Sequence, residues 1–229
     1  MLTVSIYARH KTKSIAASCR TRDRVTRPYH HGDLRATLLT TALALADEVG
    51  IDGFSLREVS RRAGVSHAAA YNHFADKSAL VAAIVYASFG RLCAALVRAE
   101  RRPGSPIERL EHIGVAYIAF ACSNPTEFRL MFRPELHEKH KSATLANTSV
   151  EIDAYAVLER TVEAAIASGA IVGTDAPTVA FAAWSLVHGF ATLVVDGPKP
   201  DLRMSARART VLAKRVVGLV AQGLETRGK

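Results

Sequence analysis

SLREVSRRAGVSHAAAYNHFADK, Ser55 to Lys77, reads as two short helices joined by a tight glycine turn. Ser55 followed three residues later by Glu58 is a capping box, whose hydroxyl and carboxylate satisfy amide hydrogens that a helix start leaves unpaired. Leu56, Val59 and Ala63 then fall at helical spacing on one face, and Gly64 supplies the left-handed conformation that stops a helix. Ser66 caps the second helix, which runs on to Tyr71, Asn72 and His73, groups able to hydrogen-bond phosphate oxygens. Asp76 caps a third helix that begins at Lys77. The outline is that of a helix-turn-helix, which makes DNA the first partner to weigh.

Upstream, Asp33 to Val49 predicts another helix, with Leu34, Leu38, Ala42, Leu45 and Val49 as its apolar stripe. Together with Gly64, Val65, Ser66, Tyr71, His73, Phe74, Asp76 and Lys77, this pattern resembles the TetR family of bacterial transcription regulators over residues 29 to 90. The resemblance implies that the segment Ser66 to Phe74 is a recognition helix lying in the major groove. Ala68, Ala69 and Ala70 donate no hydrogen bonds, so base reading would fall to His67 and to Arg57 of the preceding helix, with alanine methyls against thymine methyls. Tyr71, His73 and Lys77 match positions that contact phosphate in the family, and Ser55 and Ser66 stand at helix starts where an anion is attracted. Phe74 is expected in the core. The position of Ala70 usually carries a bulkier apolar residue, so thinner packing under this helix is expected.

The chain has 229 residues, 49% of them hydrophobic, enough for one small domain and one larger one. Beyond Lys77 the pattern is helical throughout, with proline and glycine as punctuation. The expected helices are Asp76 to Arg102, Pro106 to Ser123, Pro125 to Arg133, Val150 to Ser168, Ala176 to Val195 and Ser205 to Leu224, with residues 135–148 as a loop. Ile152, Tyr155, Leu158, Val162 and Ile166 share one side of the fourth of these. The expected fold class is therefore all-α: a three-helix helix-turn-helix DNA-binding domain over 29–76 and a helical bundle over 77–229. Charges such as Arg91, Arg98 and Glu100 interrupt the long apolar runs, so no membrane span is expected.

The segment Trp184-Ser-Leu-Val-His188-Gly189 resembles the Trp-x-x-x-His-Gly signature of one TetR-family C-terminal subgroup, as do Tyr117, Phe120, Pro125 and Phe128 to Phe132. The resemblance implies a homodimer through the last two helices, a palindromic DNA operator read by two recognition helices ~34 Å apart, and a small-molecule effector held between the bundle helices. Tyr117, Phe120, Phe128, Met131, Phe132, Trp184 and His188 are its candidate lining, aromatic or apolar with a few polar tips. The same residues at the same spacing also serve as plain core. The implied mechanism is repression relieved by ligand, through movement of the connecting helix; an activator or co-repressor-dependent regulator on the same scaffold is the alternative, with a helical ligand carrier or adaptor, or an enzyme, ranked after it.

The formal charge is +9, which favours an anionic partner. Residues 1–28 carry seven basic residues against Asp23 alone, a net of +6, and lack helical periodicity. They read as a disordered arm for the phosphate backbone or minor groove, or as the product of a misplaced translation start. Three widely spaced cysteines, Cys19, Cys93 and Cys122, form no metal or redox motif and suit a reducing cytoplasm, where a bacterial DNA-binding regulator resides. Enzyme signatures are missing: no Gly-x-Ser-x-Gly turn, no His-Glu-x-x-His helix and no phosphate-binding glycine loop. Neither His30-His31 nor His137 and His140 has metal-ligand spacing with cysteine, so no metal, cofactor or catalytic residue is expected.

Overall fold

The computed structural model describes residues 34–133, 154–197 and 205–224. Internal contacts divide the chain at Asp33/Leu34, and all described residues belong to the second unit. The basic arm, His30-His31, the residue 135–148 loop with His137 and His140, and Cys19 lie outside the described residues.

Helices account for nearly all of the described chain, in the order α1 (Leu34–Val49), α2 (Leu56–Arg62), α3 (His67–Tyr71), α4 (Lys77–Glu100), α5 (Pro106–Ser123), α6 (Pro125–Met131), α7 (Ala154–Ala167), α8 (Ala176–Asp196) and α9 (Ala206–Leu224). A single 3-10 turn, Ile51–Gly53, separates α1 from α2 and was not signalled by periodicity. Short polar caps set the starts. Ser55, Ser66, Asp76, Ser105 and Asp175 each accept a hydrogen bond from the backbone amide three residues on. The full reciprocal capping box is found at Ser105 and Glu108. At Ser55 only half of the expected box forms, because the Glu58 carboxylate turns to the Arg61 guanidinium instead. That hydrogen bond also holds the Glu58 carboxyl below its usual pKa.

The N-terminal core collects Leu38, Ala42 and Leu45 of α1, Leu56 and Val59 of α2, Ala70, Phe74, and Leu80, Ile84 and Val85 of α4. Burying each of the larger apolar side chains contributes about 1.5–3 kcal/mol. The α1 stripe differs from expectation at its end: Val49 is exposed and Ala46 is buried in its place. Gly64 has φ +71°, the left-handed conformation expected of it. Ala70 is fully buried, and its small size lets α3 sit close against this core.

The bundle core is built from α4, α5, α6, α7, α8 and α9, with Leu92, Leu96, Ile113, Ile118, Phe128, Met131 and Val187 at its centre. Gly114 on α5 makes the close approach possible, since a Cβ there would stand 3.1 Å from Val217 on α9 and 3.3 Å from Val187 on α8. A satellite cluster of Ile107, Leu158, Val162, Ile171 and Val179 closes the far end. Cys93 and Cys122 pack partly buried against the bundle core, and burial raises the pKa of the Cys122 thiol.

By length and composition alone α4 and α8 are apolar enough to cross a membrane, because fewer charges interrupt them than the sequence reading expected. Only Arg91 is charged between Lys77 and Arg98, and no charged residue stands between Asp175 and Asp196. The α4 helix buries its apolar residues in both cores, whereas α8 leaves Phe181 and Leu193 exposed.

Candidate nucleic-acid interface and bundle cavity

Three capped helix starts, at Ser55, Ser66 and Asp76, fix α2, α3 and α4 around the N-terminal core, and that arrangement decides which side chains face outward. Arg57 on α2, His67 and Ala68 at the start of α3, Tyr71 at its end and His73 just beyond are exposed; Ala69 is half-buried. Tyr71 keeps 52% of its surface open while Phe74 is buried, so the two aromatics divide between solvent and core. Ser55 and Ser66 are exposed as well, with their hydroxyls committed to the Glu58 and Ala69 amides.

Charge on α2 is selectively neutralised. Arg61 pairs with Glu58, and Arg62 makes a two-pronged bond to Glu48 of α1. Arg57 has no ion pair among the described residues, which leaves it the available cation of this helix. Lys77 is differently placed from the other candidates. Its Nζ donates to the Phe54 carbonyl at 2.7 Å and sits 4.7 Å from the Phe54 ring centroid, half-buried. The ammonium therefore pins the start of α4 to Phe54, two residues before α2.

A cavity of about 500 Å³ lies between α4, α5, α7, α8 and α9, within the size range of small-molecule sites. Of the seven residues predicted to line it, Tyr117, Phe132 and Trp184 do so. Phe120, Phe128, Met131 and His188 do not border it. Phe128 and Met131 are buried in the bundle core and Phe120 packs against it, since aromatic and methionine side chains at helical spacing fill interiors before they line holes. His188 stands immediately behind the wall. Its Nδ1 and the Tyr117 hydroxyl share a hydrogen bond of 2.9 Å, and its ring lies 4.5 Å from Phe132 and 5.5 Å from Trp184, centroid to centroid. Burial pushes the Tyr117 phenol up, partly offset by the Trp184 indole, and pushes the His188 imidazole below its ordinary 6.5.

Sequence reasoning missed Phe89 on α4, Tyr155 on α7 and Glu111 on α5, which complete the polar and aromatic part of the wall. Glu111 had no distinct signal in the sequence, since it sits with Glu108, Arg109 and His112 in the polar first half of α5. Among the described residues no cluster of three or more His, Cys, Asp or Glu side chains could hold a metal ion.

The geometry defines a class, a capped helix-turn-helix domain carried on a helical bundle with an internal cavity. Residues 38–84 match the family described as bacterial regulatory proteins, tetR family, and residues 110–221 match the tetracyclin repressor-like C-terminal domain. The chain belongs to the TetR family. A protein of unknown function from Rhodococcus sp. RHA1 is 34% identical, with a TM-score of 0.68 covering 87% of this chain and 100% of that one. A tetR-family regulatory protein from Rhodococcus RHA1 shares the fold at 20% identity, TM-score 0.63, over 85% and 98% of the two chains. The class A tetracycline repressor of transposon 1721 from Escherichia coli is 43% identical over 51 residues. That match spans 22% of this chain and 24% of the repressor.

Proposed function

We propose that this TetR-family protein is a dimeric repressor of a palindromic operator, released by a small molecule that enters the bundle cavity. The observation that carries the reading is the double membership of α4. Its first turns, Leu80, Ile84 and Val85, belong to the helix-turn-helix core, while Phe89, Leu92 and Leu96 border the cavity. A ligand that prefers a different packing at Phe89 shifts the population of α4 positions and spoils the spacing of two recognition helices. The shift is limited by the ligand's differential affinity for the two arrangements.

On this reading Arg57, His67, Ala68 and Ala69 face bases, Ser55, Ser66, Tyr71 and His73 hold phosphates, Lys77 serves the interface by pinning the start of α4 to Phe54, and the division of domains falls at Asp76/Lys77. The seat of action is the bacterial cytoplasm, where the operator is. The narrower placement in the Trp-x-x-x-His-Gly subgroup rests on the signature residues Trp184, His188 and Gly189. The test is direct: sequence the DNA fragments selected by the purified protein, then titrate the selected operator with and without small molecules. Failure to enrich any palindrome would remove the repressor reading.

A further inference from the structure

The wall of the cavity carries one charged side chain. Among the described residues Glu111 borders it, no Lys or Arg does, and the remaining lining is apolar or aromatic. The Glu111 carboxylate is half-buried against α9, with Oε1 3.5 Å from where a Cβ on Gly218 would stand. Among the described residues it has no hydrogen-bond or ion-pair partner. Three other carboxylates of the bundle are held, Glu100 by Arg160 and Thr161, Glu127 by Arg91, and Asp196 by Arg129, while Glu159 and Glu163 of α7 do not border the cavity. A half-buried carboxylate without a cation beside it lacks the pairing that buried charges require.

The rest of the wall has matching chemistry. Phe89, Tyr117, Phe132, Tyr155 and Trp184 surround the space with aromatic rings, whose faces attract cations, and Leu92, Leu96 and Val217 offer plain apolar surface. A carboxylate or phosphate ligand would enter with no basic residue among the described lining to receive it and with Glu111 as a like charge. A neutral ligand would leave Glu111 unpaired and more deeply buried than before.

We propose that the cavity takes an amphiphilic organic monocation, an amine or quaternary ammonium on an extended apolar body, with Glu111 as its counter-charge. The proposal rests on the cavity being an effector site, and names the chemical class of that effector.

Trp184 is the only tryptophan of the chain and it borders the cavity, so its fluorescence reports occupancy without DNA. Decylamine, decanol and decanoate, matched in chain length and kept below micelle formation, are titrated into the full-length protein by fluorescence and by calorimetry. Decylamine should bind about ten-fold or more tighter than decanol, and decanoate weakest. Glu111→Gln should bring decylamine to within about three-fold of decanol while leaving decanol unchanged, which also shows that the variant keeps its cavity. The proposal is overturned if decanoate binds as well as decylamine, if Glu111→Gln preserves the amine preference, or if none of the three binds. Amine binding that leaves operator affinity unaltered sinks the effector reading and leaves the cation site standing.

Discussion

Leu130 and Met131, neighbours on α6, are buried in different cores: Leu130 packs with Leu38, Val85 and the rest of the helix-turn-helix cluster, Met131 with Phe128 and the bundle. A helix of seven residues thus joins the two halves at consecutive positions. Polar contacts repeat the link. Thr126 donates to Asp47 of α1, Glu127 pairs with Arg91 of α4, and Arg129 reaches Asp196 at the end of α8. Exposed pairs of this kind contribute little singly; the buried side chains carry the connection.

Leu130→Ala should therefore cost about 2–4 kcal/mol of stability through a cavity at the junction. It should also weaken the response of DNA binding to ligand, with ligand affinity itself preserved. Urea denaturation and operator titration measure the two effects. A variant that loses stability but keeps its full ligand response would assign the transmission to α4 alone.

Lys77→Met removes the bond from Nζ to the Phe54 carbonyl and the cation over the Phe54 ring. The expected loss of stability is about 1–2 kcal/mol, together with weaker binding to every DNA sequence alike, because the start of α4 is no longer pinned. Denaturation of the free protein reads the first effect, and no change there would show that the pin contributes nothing.

Tyr71→Phe and His67→Ala should behave differently. Tyr71 exposes its hydroxyl at the end of α3, so its loss should weaken matched and mismatched operators equally. His67 opens the helix, and its removal should relax preference at one base pair by about 1–3 kcal/mol. Equal loss on all operators for His67→Ala would take away its base-reading role.

Burial places the pKa of His188 below the ordinary 6.5, so the unfolded chain takes up the proton first. The stabilisation from the neutral, Tyr117-bonded ring is complete above that ordinary value. It is lost as the pH falls through the lower folded value. Stability measured by urea denaturation should thus decline as pH drops from about 7 to about 5, and His188→Gln should flatten part of that slope. A steeper slope in the variant would contradict the neutral state of the folded imidazole.

Most of the helix order was legible in the sequence because caps and breakers are local: Ser55, Ser66, Asp76 and Pro106 mark starts within a residue of where α2 to α5 begin. The cavity wall was only partly legible. A helical stripe says which face is inside; whether an inside residue touches a neighbour or a void depends on residues distant in sequence. Tyr117 and Phe128 are both buried, yet one borders the cavity and the other is packed behind it. Glu58 teaches the same lesson about competition, since its capping role lost to an arginine one turn away.

Exposed apolar surface on the last two helices leads to the final prediction. Phe181 and Leu193 on α8 and Val211 and Leu219 on α9 are exposed, Leu219 by 70%, an arrangement that a single subunit leaves in water. Pairing α8 and α9 with their copies would bury these residues in a four-helix interface. Leu193→Glu with Leu219→Glu places four carboxylates in that interface per dimer. Each unpaired buried charge costs several kcal/mol, so the dimer dissociation constant should rise by about a hundred-fold or more. Sedimentation at micromolar protein should then show a monomer with unchanged helical content, and operator affinity should fall because the two half-sites are no longer bound as a unit. Wild-type protein that sediments as a monomer would remove the dimer, and a double variant that remains dimeric would place the contact elsewhere.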